Sequence, residues 1–494
     1  MSPNPLKQLA GQTAIYGGSS VLGRFLNYLL VPIHTRVFMP EQYGVVTEIY
    51  AYTAFLLIFL IYGMETAYFR YNEKTTHKNN VFSTAMTSIL TTSILFIVII
   101  FAFTDDLAAL IQHSRHSEYI VYLALIVALD AIGAIPLARL RAENKPKKFA
   151  VIKLTNIGVN IGLNLFLLVG CPKIIQHDIP VLADIISSFH SGEAKVGHIF
   201  LANVFASAVQ LIMLSPAFLH IKRKFSFTLW KEMIIYALPL LIFGLAGIMN
   251  ETLDRLLLKY MLPENEALRQ VGIYGACYKI SILMTIFIQA YRYAAEPFFF
   301  ARAKHKDAKE IYASMMNYFI IAGTIIFLGT MLYLDIIIHF INEKYWSGRN
   351  VIPILLLANL FLGIFYNLSI WYKLTNQTRF GAYLSIFGAI ITVALNIYWI
   401  PKIGYMGSAW ATLACYASMM ILSYLLGKKY YPLNYDLRKA LFYIGGSLII
   451  YLIADSADLH QPTIKWIVHT GLFFSFLTVI YFSERKNLKN ILQD

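Results

Sequence analysis

The chain has 494 residues, 58% hydrophobic and only 14% charged, with a mean hydropathy of +0.60, and the apolar excess runs its whole length, which excludes a soluble enzyme on a single anchor. The net charge of +14 does not mark a nucleic-acid binder, because no basic stretch interleaves aromatics in a soluble module. Cys171, Cys277 and Cys415 are widely separated, without CxxC or His/Cys spacing, so neither a disulfide framework nor a zinc site is indicated.

A hydrocarbon core of about 30 Å needs roughly 20 apolar residues per helix. On that measure the chain is an all-α integral membrane protein with fourteen transmembrane helices, near residues 11–36, 43–66, 81–103, 119–139, 149–170, 197–219, 233–258, 270–295, 311–334, 351–372, 380–400, 404–426, 438–454 and 464–482. The first has the basic start of a signal peptide but is too long and lacks a small-residue cleavage site, so it is read as retained. Its Arg24 lies roughly 20 Å along the helix at about 1.5 Å per residue, deep for a side chain to snorkel out. The second helix carries Glu48 and Glu65 near opposite ends, and the fourth carries Asp130 mid-way. The longest outward loop, about Cys171 to Gly197, holds "IPVLADIISSF", an interfacial amphipathic helix by composition. His177, Asp178, His190 and His198 nearby are read as solvated rather than as metal ligands. The seventh helix runs into "MNETLDRLLLKYMLP" (Met249 to Pro263) and so carries Glu251, Asp254 and Arg255. Glu251 has the i, i+4 spacing to pair with Arg255, while Asp254 points about 100° away. The eighth helix holds Lys279 mid-way and Arg292 with Glu296 near one end. An Arg at a helix centre costs about 2.5–3.5 kcal/mol on insertion scales, so such ions face a cavity or a partner.

Lys and Arg concentrate in the N-terminal tail, the loops after even-numbered helices and the C-terminal tail. By the positive-inside rule both termini are cytoplasmic. "RLRAENKPKK" (Arg139 to Lys148), "KRK" (Lys222 to Lys224) and "RAKHKDAK" (Arg302 to Lys309) then face the cytoplasm and its anionic lipid.

An internal repeat organises these helices. "ENKPKKFA" (Glu143 to Ala150) resembles "TNQTRFGA" (Thr375 to Ala382), and the helices that follow continue with "VNIGLN" (Val159 to Asn164) and "ITVALN" (Ile391 to Asn396). Arg24 precedes Pro32 by the same interval as Arg255 precedes Pro263, and "QYGVV" at Gln42 matches "QVGIY" at Gln270. Two six-helix lobes are therefore expected, 1–222 and 223–434, followed by 435–494 with helices thirteen, fourteen and a cytoplasmic tail. Six is even, so the lobes are parallel repeats about an axis along the membrane normal, with a substrate site between them near the midplane. Arg24, Arg255, Lys279 and Arg292 would make that site cationic, and guanidinium groups match phosphate oxygens in bidentate fashion. Glu251, Asp254, Asp130, Glu48 and Glu65 are the candidates for charge balance or for coupling to a proton or sodium ion, since buried acids readily shift pKa. There is no GxxxxGK[ST] loop, and no metal or other cofactor is expected.

"PIHTRVFMPEQYGVV", "LRAENKPKKFA", "LDRLLLKYMLP" followed by "VGIYGACYKI", and "LNIYWIPKIGYMGSAWAT" together resemble the polysaccharide transport family of the multidrug/oligosaccharidyl-lipid/polysaccharide exporter superfamily, which includes Wzx-type O-antigen flippases. The resemblance implies a V-shaped pair of six-helix lobes, as in multidrug and toxic compound extruders, with two further helices as in lipid II flippases. It implies transfer of polyprenyl-pyrophosphate-linked oligosaccharide from the cytoplasmic to the outer leaflet of a bacterial inner membrane. Membrane lipid surrounds such a protein, expected as a monomer, and polysaccharide polymerase and glycosyltransferases are its expected partners. Two other readings stay open: a multidrug or other small-molecule exporter of the same fold, and a membrane glycosyltransferase or polymerase, against which the short outward loops speak.

Overall fold

The computed structural model describes residues 17–18, 21–74, 77–220, 225–303, 305–457 and 461–493. Among them the regular structure is helical, without strands, and 13 helices are long and apolar enough to cross a membrane. The first expected span, 11–36, lies partly outside the described residues; its end continues as α1 (Val31–Val37). The spans follow as α2 (Pro40–Lys74), α3 (Lys78–Ala102), α4 (Glu118–Ala142), α5 (Pro146–Gln176), α6 (Val196–Phe218) and α7 (Phe227–Met261). Then come α8 (Glu264–Phe300), α9 (Ala308–Leu332), α10 (Val351–Leu374), α11 (Arg379–Ile403), α12 (Tyr405–Tyr430), α13 (Leu437–Ser456) and α14 (Pro462–Arg485).

Local chemistry sets the ends. Pro40 opens α2, where its missing N–H costs nothing, and the Gln42 side chain accepts from the Met39 amide at 3.0 Å. Gly63, at φ +74°, lets α2 break and resume at Met64. Leu182–Ser187 is helical, within the stretch expected to form an interfacial helix, and buries Ala183 and Ile186.

The chain divides into two compact units, 1–275 with 392–404, and 276–391 with 405–494. These limits fall inside α8 and α11, whereas the repeat places its lobe limits at 222 and 434. In the first unit α4 is the most buried span; Val127, Ala128, Ala131 and Ile135 pack with Met64, Tyr68, Phe82 and Met233. In the second, α10 packs on α12 through Phe365, Trp371, Tyr416 and Met419, and α13 and α14 lie against α9. Large apolar side chains such as Ile94, Leu95 and Val98 on α3 and Leu441 and Ile467 on α13 and α14 are exposed, as expected where the solvent is lipid.

The repeat is visible in the backbone. Asn144 and Asn376 both take the left-handed conformation, at φ 52° and 56°, which Asn tolerates better than most residues. In each turn the next amide reaches back to the same relative carbonyl, Lys145 to Leu140 at 2.9 Å and Gln377 to Tyr372 at 2.8 Å. Asn164 Nδ2 donates to the Asn160 carbonyl at 2.8 Å, and Asn396 Nδ2 to the Thr392 carbonyl at 2.7 Å.

The third matched pair, Gly44 and Gly272, meets across one helix crossing. A side chain on Gly44 would overlap the Leu268 carbonyl, and one on Gly272 would overlap the Pro40 carbonyl. Each carbonyl lies four residues before the opposite glycine, so the contact is locally two-fold. Helices in lipid gain by close backbone approach rather than by hiding apolar surface from water, which is why small residues sit where they cross.

The segment after α9 holds α14. Asp335 pairs with Lys465 and lies 3.6 Å from Arg349. Partial burial alone would raise the Asp335 pKa, but Lys465 and Arg349 outweigh it and hold the carboxyl below its ordinary 3.8. A carboxyl depressed in the folded state contributes stability above its unfolded pKa and loses it as pH falls through the folded value. Acidification from neutral pH to below 3.8 should therefore raise hydrogen exchange at the start of α14. Asp335→Asn should already be loosened there at neutral pH and show no acid step; an identical acid profile in the variant would place the cause elsewhere.

Candidate functional site

The expected site residues fall into separate groups. Arg24, on the helical stretch 21–28, is exposed. Arg255, on α7, is buried at 8% exposure. Its Nη1 donates to the backbone carbonyl of Glu251 at 2.5 Å and lies 3.5 Å from Asp254 Oδ1. The expected pairing with the Glu251 carboxylate is thus corrected: the neutralising acid is Asp254, and the Glu251 side chain is exposed. Two bonds turn Asp254 inward. Its Oδ1 accepts from the Arg255 amide at 2.8 Å, and its Oδ2 from the Tyr274 hydroxyl at 2.5 Å. Tyr43 on α2 lies within electrostatic reach of Arg255 and of Tyr28, one helical turn beyond Arg24, so the first helix and α7 both border α2 here.

Glu48, expected near one end of α2, is fully buried. Lys259 Nζ donates to its Oε1 at 2.5 Å, and His113 Nε2 lies 2.9 Å from its Oε2. Lys259 also donates to the Ile111 carbonyl. Neither Lys259 nor His113 is picked out by the sequence, because the three residues come from α2, the α3–α4 connection and α7. The one available signal is an acid in an apolar helix with no cation at helical spacing, which demands a partner from elsewhere.

Asp130 is half-buried on α4 and accepts from the Ser207 hydroxyl of α6 at 2.8 Å, with Lys153 of α5 in electrostatic reach. Glu65 pairs with Arg141, which also lies 5.1 Å from the Phe69 ring centroid. In the second unit, Lys279 is half-buried on α8. Arg292 lies 3.3 Å from Glu296 and 4.1 Å over the Tyr366 ring, while Lys373 Nζ donates to Glu296 at 2.9 Å. Among the described residues no group of His, Cys, Asp and Glu is arranged to hold a metal ion. His190 uses both ring nitrogens locally, one to the Leu167 carbonyl at 2.9 Å and one accepting from the Gly192 amide at 3.1 Å.

Chemically, the Arg255 group is a buried cation with guanidinium hydrogens held beside the Asp254 carboxylate and the Glu251 carbonyl. Such a group can take an anionic ligand in place of its internal acid where the released carboxylate is neutralised in turn.

Residues 33–171 match the model of a family described as Polysaccharide biosynthesis protein. No curated protein sequence matches the chain. Among solved structures, an inward-facing multidrug resistance MATE family transporter of the MOP superfamily superposes with a TM-score of 0.65 at 13% identity, covering 84% of this chain and 94% of that one. The chain has the MATE fold. The lipid II flippase MurJ, in an inward closed conformation, matches at a TM-score of 0.64 and 13% identity, over 96% of this chain and 99% of MurJ. An outward-facing MATE transporter of the MOP superfamily matches at 0.59 and 14%, over 87% and 96%. The MATE-like fold, its MurJ likeness and the N-terminal family match agree with the family resemblance drawn from the sequence.

Proposed function

We propose that the chain is a flippase that carries a polyprenyl-pyrophosphate-linked oligosaccharide, an O-antigen or other surface-polysaccharide repeat unit, from the cytoplasmic to the outer leaflet of a bacterial inner membrane by alternating access. In this reading both termini are cytoplasmic and the chain is a transporter rather than an enzyme. The observation that carries it is Arg255, a guanidinium buried on a membrane-spanning helix in a chain whose N-terminal part matches a polysaccharide biosynthesis family.

Arg255 holds the pyrophosphate, displacing Asp254 from the guanidinium; its repeat counterpart Arg24 and, in the second unit, Lys279 and Arg292 are the further cations proposed to meet the substrate. Released from Arg255, Asp254 keeps its Tyr274 hydroxyl and can take a proton or sodium ion while the headgroup is held; giving that ion up after the headgroup leaves returns the carboxylate to Arg255. Asp130, held by Ser207, and Glu48 are the other acids open to such coupling; Glu251 and Glu65 balance charge nearer the surface. The reading needs no bound cofactor. The protein works as a monomer beside the polymerase and glycosyltransferases that handle the same lipid.

The test uses the full chain in proteoliposomes loaded with a polyprenyl-pyrophosphate-linked trisaccharide, following exposure of the sugar to a membrane-impermeant glycosidase. Wild type should expose it at least tenfold faster than empty liposomes. Arg255→Ala should lose that gain while remaining folded, Arg255→Lys should keep part of it because charge survives without the planar fork, and Asp254→Asn should bind the headgroup but turn over slowly. Wild-type vesicles that expose sugar no faster than empty ones, yet expel a cationic dye, would establish the multidrug reading instead.

A further inference from the structure

At the far end of α9 the chain passes through the short helix Leu334–Ile337 and, with α13 and α14, encloses a cavity of about 240 Å³ within the second unit. Its lining is mostly polar and includes Asp335, Arg349, Tyr451, Asp455, Lys465 and His469. That volume is below the roughly 300–1,000 Å³ of sites for drug-sized ligands. Among the described lining residues two acids stand against Arg349 and Lys465, and Asp335 engages both of these bases. Asp455 is exposed at the rim.

His469 decides the chemistry. It is 6% exposed, and its Nδ1 lies 2.6 Å from the Leu332 carbonyl. A carbonyl only accepts, so Nδ1 carries the proton, and in the neutral ring Nε2 is then a bare acceptor. Among the described residues that buried Nε2 has no hydrogen-bond partner. It calls for a ligand that brings a donor. A fully ionised phosphate or carboxylate brings none, whereas a hydroxyl donates to His469 and can accept from a nearby base with the same oxygen.

We propose that this cavity is a carbohydrate subsite that takes one neutral sugar ring, with a hydroxyl donating to His469 Nε2, a second donating to Asp455, and Arg349 donating to a ring or hydroxyl oxygen. The inference rests on the flippase reading for the source of the sugar: a residue of the translocated oligosaccharide, received at the outer ends of α9, α13 and α14. It adds a contact for the sugar itself, separate from the grip on the pyrophosphate.

The probes are methyl hexosides and methyl N-acetylhexosaminides, titrated onto the full chain in nanodiscs and read by saturation-transfer NMR, with inorganic phosphate as competitor. At least one glycoside should bind saturably, undisplaced by phosphate. His469→Phe, which keeps a ring but removes both nitrogens, and Asp455→Asn should each weaken it at least tenfold. Asp455 is exposed, so its variant decides the matter if His469→Phe does not fold. No saturable signal from any probe, competition by phosphate, or binding indifferent to Asp455→Asn would overturn the subsite. Flipping measured in parallel separates the two readings: flipping without glycoside binding removes only the subsite, and glycoside binding without flipping removes only the flippase.

Discussion

Glu48→Ala should lower the stability of the folded chain by about 3–5 kcal/mol, the cost of stripping one partner from a buried ion pair. Glu48 is 0% and Lys259 3% exposed, with Nζ 2.5 Å from the carboxylate, so the substitution leaves an ammonium in the interior with the Ile111 carbonyl and His113 Nε2 at 3.5 Å but no counter-charge among the described contacts. His113 loses its carboxylate in the same step. Glu48→Gln keeps the volume and one acceptor and should cost less. The double variant Glu48→Leu with Lys259→Met should regain most of the loss, because exchanging a whole buried pair for apolar residues of similar size is often neutral or stabilising. Thermal unfolding in detergent, with the folded yield of each variant, reads the series. An unchanged midpoint for Glu48→Ala would mean that water reaches this cluster and that the pair contributes nothing.

Gly44→Ala and Gly272→Ala should each cost about 1–3 kcal/mol, the usual range for overpacking, because the added methyl meets a main-chain carbonyl rather than a side chain that could turn away. Relief requires α2 and α8 to separate. Once they have moved for one methyl, the second finds room, so the double variant should cost less than the sum of the singles. Gly445→Ala on α13 is the control: nothing lies within 4 Å of the new methyl, and a helix interior gains roughly 0.5–1 kcal/mol from that exchange in water. Strict additivity of the crossing pair, or a cost no greater than at Gly445, would show that the helices do not touch as described.

Much of this architecture was legible because membrane spans announce themselves by length and apolarity, and because the repeat preserved residues that turn the chain. Asn144 and Asn376 could be aligned as letters, and they prove to share a left-handed turn. The ions were half legible. That Arg255 is deep in a helix follows from counting residues, but its partner does not: spacing alone favoured Glu251, whereas the capture of Asp254 by a neighbouring amide and by Tyr274 depends on a side chain folding onto its own helix and on a second helix arriving. The Lys259 cluster was out of reach for the same reason in stronger form, since its acid and its imidazole lie far away along the chain.

The crossing of Gly44 and Gly272 carries one more consequence. In a two-fold homodimer residue i touches j while j touches i, and here Gly44 meets Leu268 as Gly272 meets Pro40. The crossing has the form of a dimer's self-complementary contact, held within one chain. Within one chain the two sides of such a contact can differ, because a substitution on one side does not change the other. The register that matches Arg24 to Arg255 puts Tyr28 in the place of Lys259, and the one that matches Gly44 to Gly272 puts Ala276 in the place of Glu48. The buried pair therefore exists in one copy only, an asymmetry that a true homodimer could not have acquired with a single pair of substitutions.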